Sequence, residues 1–173
     1  MNVFVAGIHA VGKSFLCTKA AADGAWRHSS ASTLIKQELG SANWTSEKRV
    51  GDPDRNQKAL VAAVKRINEQ GTRLLLDGHF VLRGKEGEFI RLGAEVFAQL
   101  KLDAIVLIEA PAAVIAARLQ ERDNVNADLS DVEVFLVAER EQAKSVCEAL
   151  GVRLSILECP DLGDFLHALS PNV

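Results

Sequence analysis

Residues 7–16 read GIHAVGKSFL, a short stretch with a recognisable pattern of glycines. Gly7 and Gly12 bracket four residues, and Lys13 and Ser14 follow directly. The run NVFVA before the stretch is apolar enough for a buried strand, and the proline-free segment after it has helical composition. A GxxxxGKS pattern between a strand and a helix indicates a phosphate-binding P-loop rather than an incidental glycine turn.

The P-loop predicts a polyphosphate site with defined roles for its residues. Amides of the loop and of the helix N-terminus favour negative charge, and glycines let the backbone approach phosphates closely. Lys13 is expected to reach the β- and γ-phosphates of ATP, and the Ser14 hydroxyl is expected to ligate Mg²⁺. The predicted cofactor-binding residues are Gly7, His9, Ala10, Val11, Gly12, Lys13, Ser14 and Phe15. His9 is either a phosphate contact or a solvent-facing side chain.

The rest of the chain alternates apolar strands with helices. This order predicts one domain, residues 1–173, with the three-layer α/β/α P-loop NTPase fold and a five-stranded parallel sheet. The predicted strands cover residues 2–6, 25–29, 72–76, 102–109 and 152–158. The predicted helices cover residues 13–22, 32–39, 53–70, 88–100, 111–122, 130–150 and 162–169, with Ser130 as cap of the long helix. Polar residues 41–52, including Trp44, are predicted to form a loop.

Bulk properties restrict the class of protein. The 173 residues are 48% apolar and 25% charged, with a net charge of −3 and a pI of about 5.8. This balance disfavours a nucleic-acid-binding module, and no apolar run approaches the length of a membrane span. Cys17, Cys147 and Cys159 show neither CxxC nor zinc-site spacing, so we expect reduced, buried thiols. We therefore expect a cytoplasmic protein without a signal peptide.

A second element of the site follows the third predicted strand. Three leucines, Leu74 to Leu76, form an apolar run that ends in Asp77. In a parallel sheet this position lies at the carboxyl end of the strand, where ligands bind. Carboxylate oxygens suit Mg²⁺, directly or through water, so Asp77 is predicted to hold the metal together with Ser14.

Further segments resemble, in chain order, the small nucleotide kinases of the adenylate-kinase-like group, which includes the archaeal and nuclear adenylate kinases. They are HSSASTLIK at residues 28–36, LDGH at 76–79, IEAP at 108–111 followed by Arg118 and Arg122, and the pair Glu139-Arg140. The resemblance runs through nearly the whole chain, and the P-loop is its most specific motif. The sequence contains no Asn-Lys-x-Asp run for reading guanine, which disfavours a GTPase.

The resemblance implies an ATP- and Mg²⁺-dependent kinase that phosphorylates a nucleoside monophosphate. It implies an acceptor-binding insert at about residues 30–70 and a short lid at about 118–131. The substrate-binding residues would be Ser30, Ser32, Lys36, His79 and Arg83, and the catalytic residues Lys13, Arg118, Arg122 and Arg140. Such arginines would neutralise the charge that spreads over the transferring γ-phosphoryl group. The chain departs from the group at Lys36, where an arginine is usual, and in a lid without zinc-binding cysteines.

Several alternatives stay open at this point. The acceptor is a nucleoside monophosphate or another small metabolite, such as a sugar acid, shikimate or a nucleoside. A different class of function is a regulatory nucleotide-binding module with little turnover. His79 either orients the acceptor or is an ordinary loop histidine. The three arginines either close over phosphate or form surface ion pairs with neighbouring glutamates; they are Arg118, Arg122 and Arg140.

Overall fold

The hydrophobic runs of the sequence form a central parallel sheet in the computed structural model, which describes residues 1–40, 53–84 and 86–170. The strands are β1 (Asn2–Ala6), β2 (Arg27–Ser30), β3 (Leu74–Asp77), β4 (Val81–Arg83), β5 (Phe89–Arg91), β6 (Ala104–Glu109) and β7 (Arg153–Glu158). The helices are α1 (Lys13–Ala20), α2 (Ala31–Leu39), α3 (Pro53–Glu69), α4 (Ala94–Ala98), α5 (Ala112–Asp123), α6 (Leu129–Leu150) and α7 (Leu162–Ala168). The five parallel strands lie in the order β2-β3-β1-β6-β7, which confirms the predicted α/β fold.

The middle of the sheet is apolar and fully enclosed. Every residue of β1, β3 and β6 is buried, as expected for strands covered on both faces. Ser30 of β2 and Val5 of β1 both lie in register with Asp77 of β3. The carboxyl ends of three adjacent strands therefore meet at one edge of the sheet, and the loop after β1 starts from that edge.

The predicted helix over residues 88–100 is wrong in its first half. Phe89–Arg91 form strand β5, which pairs antiparallel with Val81–Arg83, a segment predicted to be loop. Only Ala94–Ala98 are helical. The apolar spacing fits a helix, but Gly87 at φ 86° turns the chain into a hairpin, where cross-strand bonds satisfy the backbone instead.

Two local predictions also need correction. The long helix α6 is capped by Asp128, whose side chain accepts a hydrogen bond of 3.0 Å from the Asp131 amide, so Ser130 lies inside the first turn. A carboxylate at this position also complements the positive end of the helix dipole. Cys17 and Cys147 are buried as expected, whereas Cys159 is exposed.

Two further expectations concern the loop at residues 41–52 and membrane-spanning helices. The loop over residues 41–52, with Trp44, lies outside the described residues. Within the described ranges, no helix combines the length and the apolar character that crossing a membrane requires.

Candidate functional site

The backbone between β1 and α1 adopts a loop that glycine makes possible at two positions. Gly7 has φ 141°, and a Cβ atom there would lie 2.3 Å from the carbonyl oxygen of Ile108. Gly12 has φ 107° and precedes α1 without a side-chain cap. The amides of the first helical turn therefore have no side-chain cap, and such amides at a helix N-terminus favour an anion.

Lys13 lies beneath this loop and is 7% exposed. Its Nζ donates hydrogen bonds to the carbonyl oxygens of Gly7 at 2.6 Å and Ile8 at 3.1 Å. Burial lowers the pKa of Lys13 to about 8, although the carboxylates of Asp77 and Glu139 oppose that shift. The ammonium group is thus held by neutral carbonyls and forms no direct ion pair with the described residues, so a bound phosphate would supply one.

Ser14 and Asp77 come together as the sequence predicts for a metal-binding pair. The Ser14 hydroxyl donates a hydrogen bond of 3.2 Å to Oδ2 of Asp77. Burial would raise the pKa of Asp77, but hydrogen bonds from His28 and Ser14 and the charge of Lys13 hold it below its usual value. The carboxyl group is therefore ionised near neutral pH, and the two oxygen donors fit Mg²⁺.

His28 is a site residue that sequence reasoning missed. Its Nε2 donates a hydrogen bond of 2.6 Å to Oδ2 of Asp77, and its Nδ1 lies 3.3 Å from Oγ1 of Thr18. The contact exists because β2 lies beside β3 in parallel register. His28 belongs to the segment HSSASTLIK, but the local sequence does not indicate which strand lies beside β2.

Glu139 is the second missed residue and is 1% exposed. Its carboxylate accepts hydrogen bonds from three backbone amides: Gly7 at 3.3 Å, Phe80 at 2.9 Å and Val81 at 2.7 Å. Burial raises the pKa of Glu139, although these amides and Lys13 act in the opposite direction. Helix α6 thus ties the start of the P-loop to the segment that follows β3.

The three predicted catalytic arginines separate into different environments. Nη1 of Arg118 donates to the loop carbonyl oxygens of Ala10 at 3.0 Å and Val11 at 3.1 Å. Arg122 pairs with the adjacent Asp123 at 2.6 Å, and its charge contributes to lowering the pKa of Lys13. Arg118 therefore contacts the P-loop directly, whereas Arg122 acts on it through its charge.

Arg140 has a different partner, in the carboxylate at the end of β6. Its guanidinium forms a two-bond ion pair with Glu109, with Nε 2.7 Å from Oε1. Glu109 is buried, so the pair fixes α6 on the sheet. The three arginines therefore have different partners, which are Glu109 for Arg140, loop carbonyls for Arg118 and Asp123 for Arg122.

The predicted acceptor residues also divide into two groups. Ser30 caps α2 by accepting a hydrogen bond of 3.1 Å from the Thr33 amide, and Ser32 lies 3.1 Å away, hydroxyl to hydroxyl. Lys36 is exposed on the same helix. Arg83 is directed to α6 instead, because its guanidinium pairs with Asp131 at 2.6 Å.

His79 lies against the P-loop, with its ring centroid 4.5 Å from that of the exposed His9. Burial, with help from the charge of Lys13, lowers the pKa of His79 to about 2, so the ring is neutral at physiological pH. Its Nδ1 is buried and has no hydrogen-bond partner in the described part of the chain. An unpaired buried nitrogen beside a phosphate loop is suited to hydrogen bonding with a bound ligand.

Comparison with known proteins supports the same fold. The model of a family described as AAA domain matches residues 6–135. That match starts at the end of β1 and includes the P-loop, Asp77 and both loop-side arginines. No curated protein matches the chain.

Solved structures share the fold at low sequence identity. A sugar kinase from Janibacter sp. HTCC2649 is 16% identical with a TM-score of 0.59, over 98% of this chain and 95% of that one. A gluconokinase from Sinorhizobium meliloti 1021 is 13% identical with a TM-score of 0.54, over 96% and 87%. A Chloroflexus aurantiacus J-10-fl protein, described provisionally as a kinase, is 14% identical with a TM-score of 0.60, over 96% and 91%.

Proposed function

Since the chain belongs to the AAA domain family, we propose that it is an ATP- and Mg²⁺-dependent kinase of a small molecule. The observation that carries the proposal is the convergence of Lys13, Ser14 and Asp77 at the P-loop. A loop of amides, one buried ammonium and two metal-binding oxygens match what phosphoryl transfer requires, which is positioning and charge neutralisation. The kinases among the structural neighbours support this reading.

The residues divide the work of the reaction between them. The loop amides and Lys13 would bind the β- and γ-phosphates of ATP, and Ser14 and Asp77 would hold Mg²⁺. When bound, the metal would supply neutralisation of charge on the phosphate oxygens. Arg118, which contacts the loop, and Arg122 would add positive charge as the γ-phosphoryl group passes to an acceptor oxygen and ADP leaves.

For the acceptor, we favour a hydroxylated metabolite over a nucleoside monophosphate. Two basic residues expected around phosphates are engaged elsewhere, because Arg83 pairs with Asp131 and Arg140 with Glu109. The groups near the carboxyl edge of β2 and β3 include uncharged hydrogen-bonding side chains, Ser30 and the neutral His79. Such groups recognise hydroxyls well and phosphate dianions less well.

An acceptor screen tests this proposal. ADP release from Mg²⁺-ATP would be measured with gluconate and related sugar acids, sugars, shikimate, nucleosides and the common nucleoside monophosphates. We expect one class to stimulate ADP release and to carry the labelled γ-phosphate in the product. Stimulation by AMP or CMP alone would support the adenylate-kinase-like alternative. Slow ADP release that no acceptor changes would contradict a kinase and favour a regulatory nucleotide-binding module.

The pKa of Lys13 gives a pH-dependent signature of nucleotide binding. With a pKa of about 8, the free chain has roughly half of this side chain protonated at pH 8. Phosphate oxygens favour the charged form and raise the pKa, so ATP binding is expected to take up about half a proton at that pH. Calorimetry in buffers of different ionisation enthalpy measures this uptake.

The sign of the effect follows from the direction of the shift. ATP affinity should fall as the pH rises above 8, because an increasing share of the free chain carries a neutral amine that must first be protonated. Lys13→Arg provides the control, since a guanidinium stays charged throughout this range. A wild-type chain that binds ATP at pH 8 without proton uptake would contradict a Lys13 that is partly neutral in the free chain and charged in the complex.

A further inference from the structure

Three different metal-binding side chains converge beneath the P-loop helix. Cys17 of α1, His28 of β2 and Asp77 of β3 place a thiol sulfur, a ring nitrogen and a carboxylate oxygen within 4.8 Å of one another. Among the described residues, no other group of three histidine, cysteine or acidic side chains meets this condition. Cys17 and Asp77 are buried and His28 is partly exposed, so the cluster lies just inside the surface.

The imidazole of His28 is already held in place from both sides. Nε2 bonds to Asp77 at 2.6 Å, and Nδ1 lies 3.3 Å from the Thr18 hydroxyl. Because a hydroxyl either donates or accepts, Thr18 also suits the tautomer in which Nδ1 carries the proton and Nε2 is free to bind a metal. A partner that fixes the second ring nitrogen is what orients histidine in established metal sites.

The donor set selects the class of ion. Sulfur, imidazole nitrogen and one carboxylate oxygen are the ligands of Zn²⁺ and similar transition metals, whereas Mg²⁺ takes oxygen ligands and keeps several waters. Three protein ligands leave a fourth position for water or for Ser14, whose hydroxyl is 3.2 Å from the same Asp77 oxygen. The same carboxylate thus belongs to both an all-oxygen pair and a mixed cluster.

We propose that Cys17, His28 and Asp77 bind one divalent transition-metal ion, Zn²⁺ in the first place, and that this ion competes with Mg²⁺ for Asp77. On binding, the Cys17 thiol releases its proton to solvent, and the metal replaces the hydrogen bond between His28 and Asp77. The competition rests on the proposed kinase function, whereas the binding of the ion does not. The consequence for the enzyme would be inhibition by zinc.

Cobalt spectroscopy tests the site without any nucleotide. The full chain, freed of metal and kept reduced with a phosphine, is titrated with Co²⁺, and absorption is followed. We expect a thiolate-to-cobalt charge-transfer band that saturates at one ion per chain and that Zn²⁺ abolishes. Cys17→Ser should remove the band, and Cys159→Ser, which changes the exposed cysteine, should retain it.

A variant of the second ligand provides an independent measurement. His28→Asn should lower Co²⁺ affinity by about tenfold or more, since even residues that only orient a ligand have effects of that size. Circular dichroism checks that each variant is folded. A wild-type chain without the band, or a band that survives in Cys17→Ser, would overturn the proposal irrespective of how the variants fold.

The regulatory consequence has its own readout. In an assay with an identified acceptor, the Zn²⁺ concentration that halves activity should rise as the Mg²⁺ concentration is raised. The same concentration should be about tenfold higher or more in Cys17→Ser than in the wild type. The activity of each variant is expressed relative to its own rate without zinc. Zinc inhibition unchanged in Cys17→Ser would overturn the competition. If no kinase activity is found, the cobalt spectrum still decides whether the metal site exists.

Discussion

Replacing Lys13 by alanine is expected to lower the rate of ATP-dependent phosphoryl transfer by at least about 10²–10³-fold, the loss typical of removing one preorganised donor from an active site. Lys13 is buried under the loop, and its Nζ already lies on the Gly7 and Ile8 carbonyls. Because Lys13 is buried, its loss leaves the site without this positive charge. Steady-state measurement of ADP release and product formation gives the magnitude.

The stability of the same variant separates a chemical defect from unfolding. Burial lowers the pKa of Lys13 to about 8, below its value in an unfolded chain, so the protonated side chain opposes folding below that pH. Lys13→Ala should therefore keep near wild-type stability without nucleotide while it loses turnover. Lys19→Ala, at an exposed position of the same helix, is the matched control and should turn over normally. Turnover of Lys13→Ala within a few-fold of wild type would refute the role of the P-loop in catalysis.

Replacing Glu139 by alanine is expected to destabilise the chain by about 3–5 kcal/mol, because each buried donor left without an acceptor costs about 1–3 kcal/mol and burial of the carboxylate offsets part of the total. The change leaves the amides of Gly7, Phe80 and Val81 without their acceptor in a buried position. It also takes a negative charge away from Lys13. For a chain of this size, each kcal/mol lowers the melting temperature by about 2–4 °C, which thermal unfolding measures directly.

Two further variants make this result specific. Glu141→Ala lies on the same helix, in an exposed pair with Arg91, and should change stability by no more than about 1 kcal/mol. Glu139→Gln keeps the shape and one acceptor oxygen but loses the charge, so its stability should be intermediate. Equal melting temperatures for Glu139→Ala and Glu141→Ala would show that α6 does not hold the loop.

Local sequence patterns are sufficient to predict the parts of this protein that depend on neighbours along the chain. The spacing of Gly7, Gly12 and Lys13 specifies a loop whose backbone angles and first helical turn are local properties. The apolar runs specify the five parallel strands, and a carboxylate directly after three leucines specifies the position of Asp77 at a strand end. In each case the residues that define the feature are close together in the sequence. The feature can therefore be predicted without knowledge of the tertiary structure.

Contacts between side chains that are distant in sequence depend on how the strands and helices pack. Glu139 accepts a hydrogen bond from the Gly7 amide although the two residues are 132 positions apart, and His28 and Asp77 are 49 positions apart. The order of the strands and the packing of α6 bring these pairs together. The pairing of β4 with β5 likewise replaced the helix that apolar spacing favoured. Such contacts depend on the packing of elements that are far apart in sequence. The local sequence around each residue therefore does not indicate its partner.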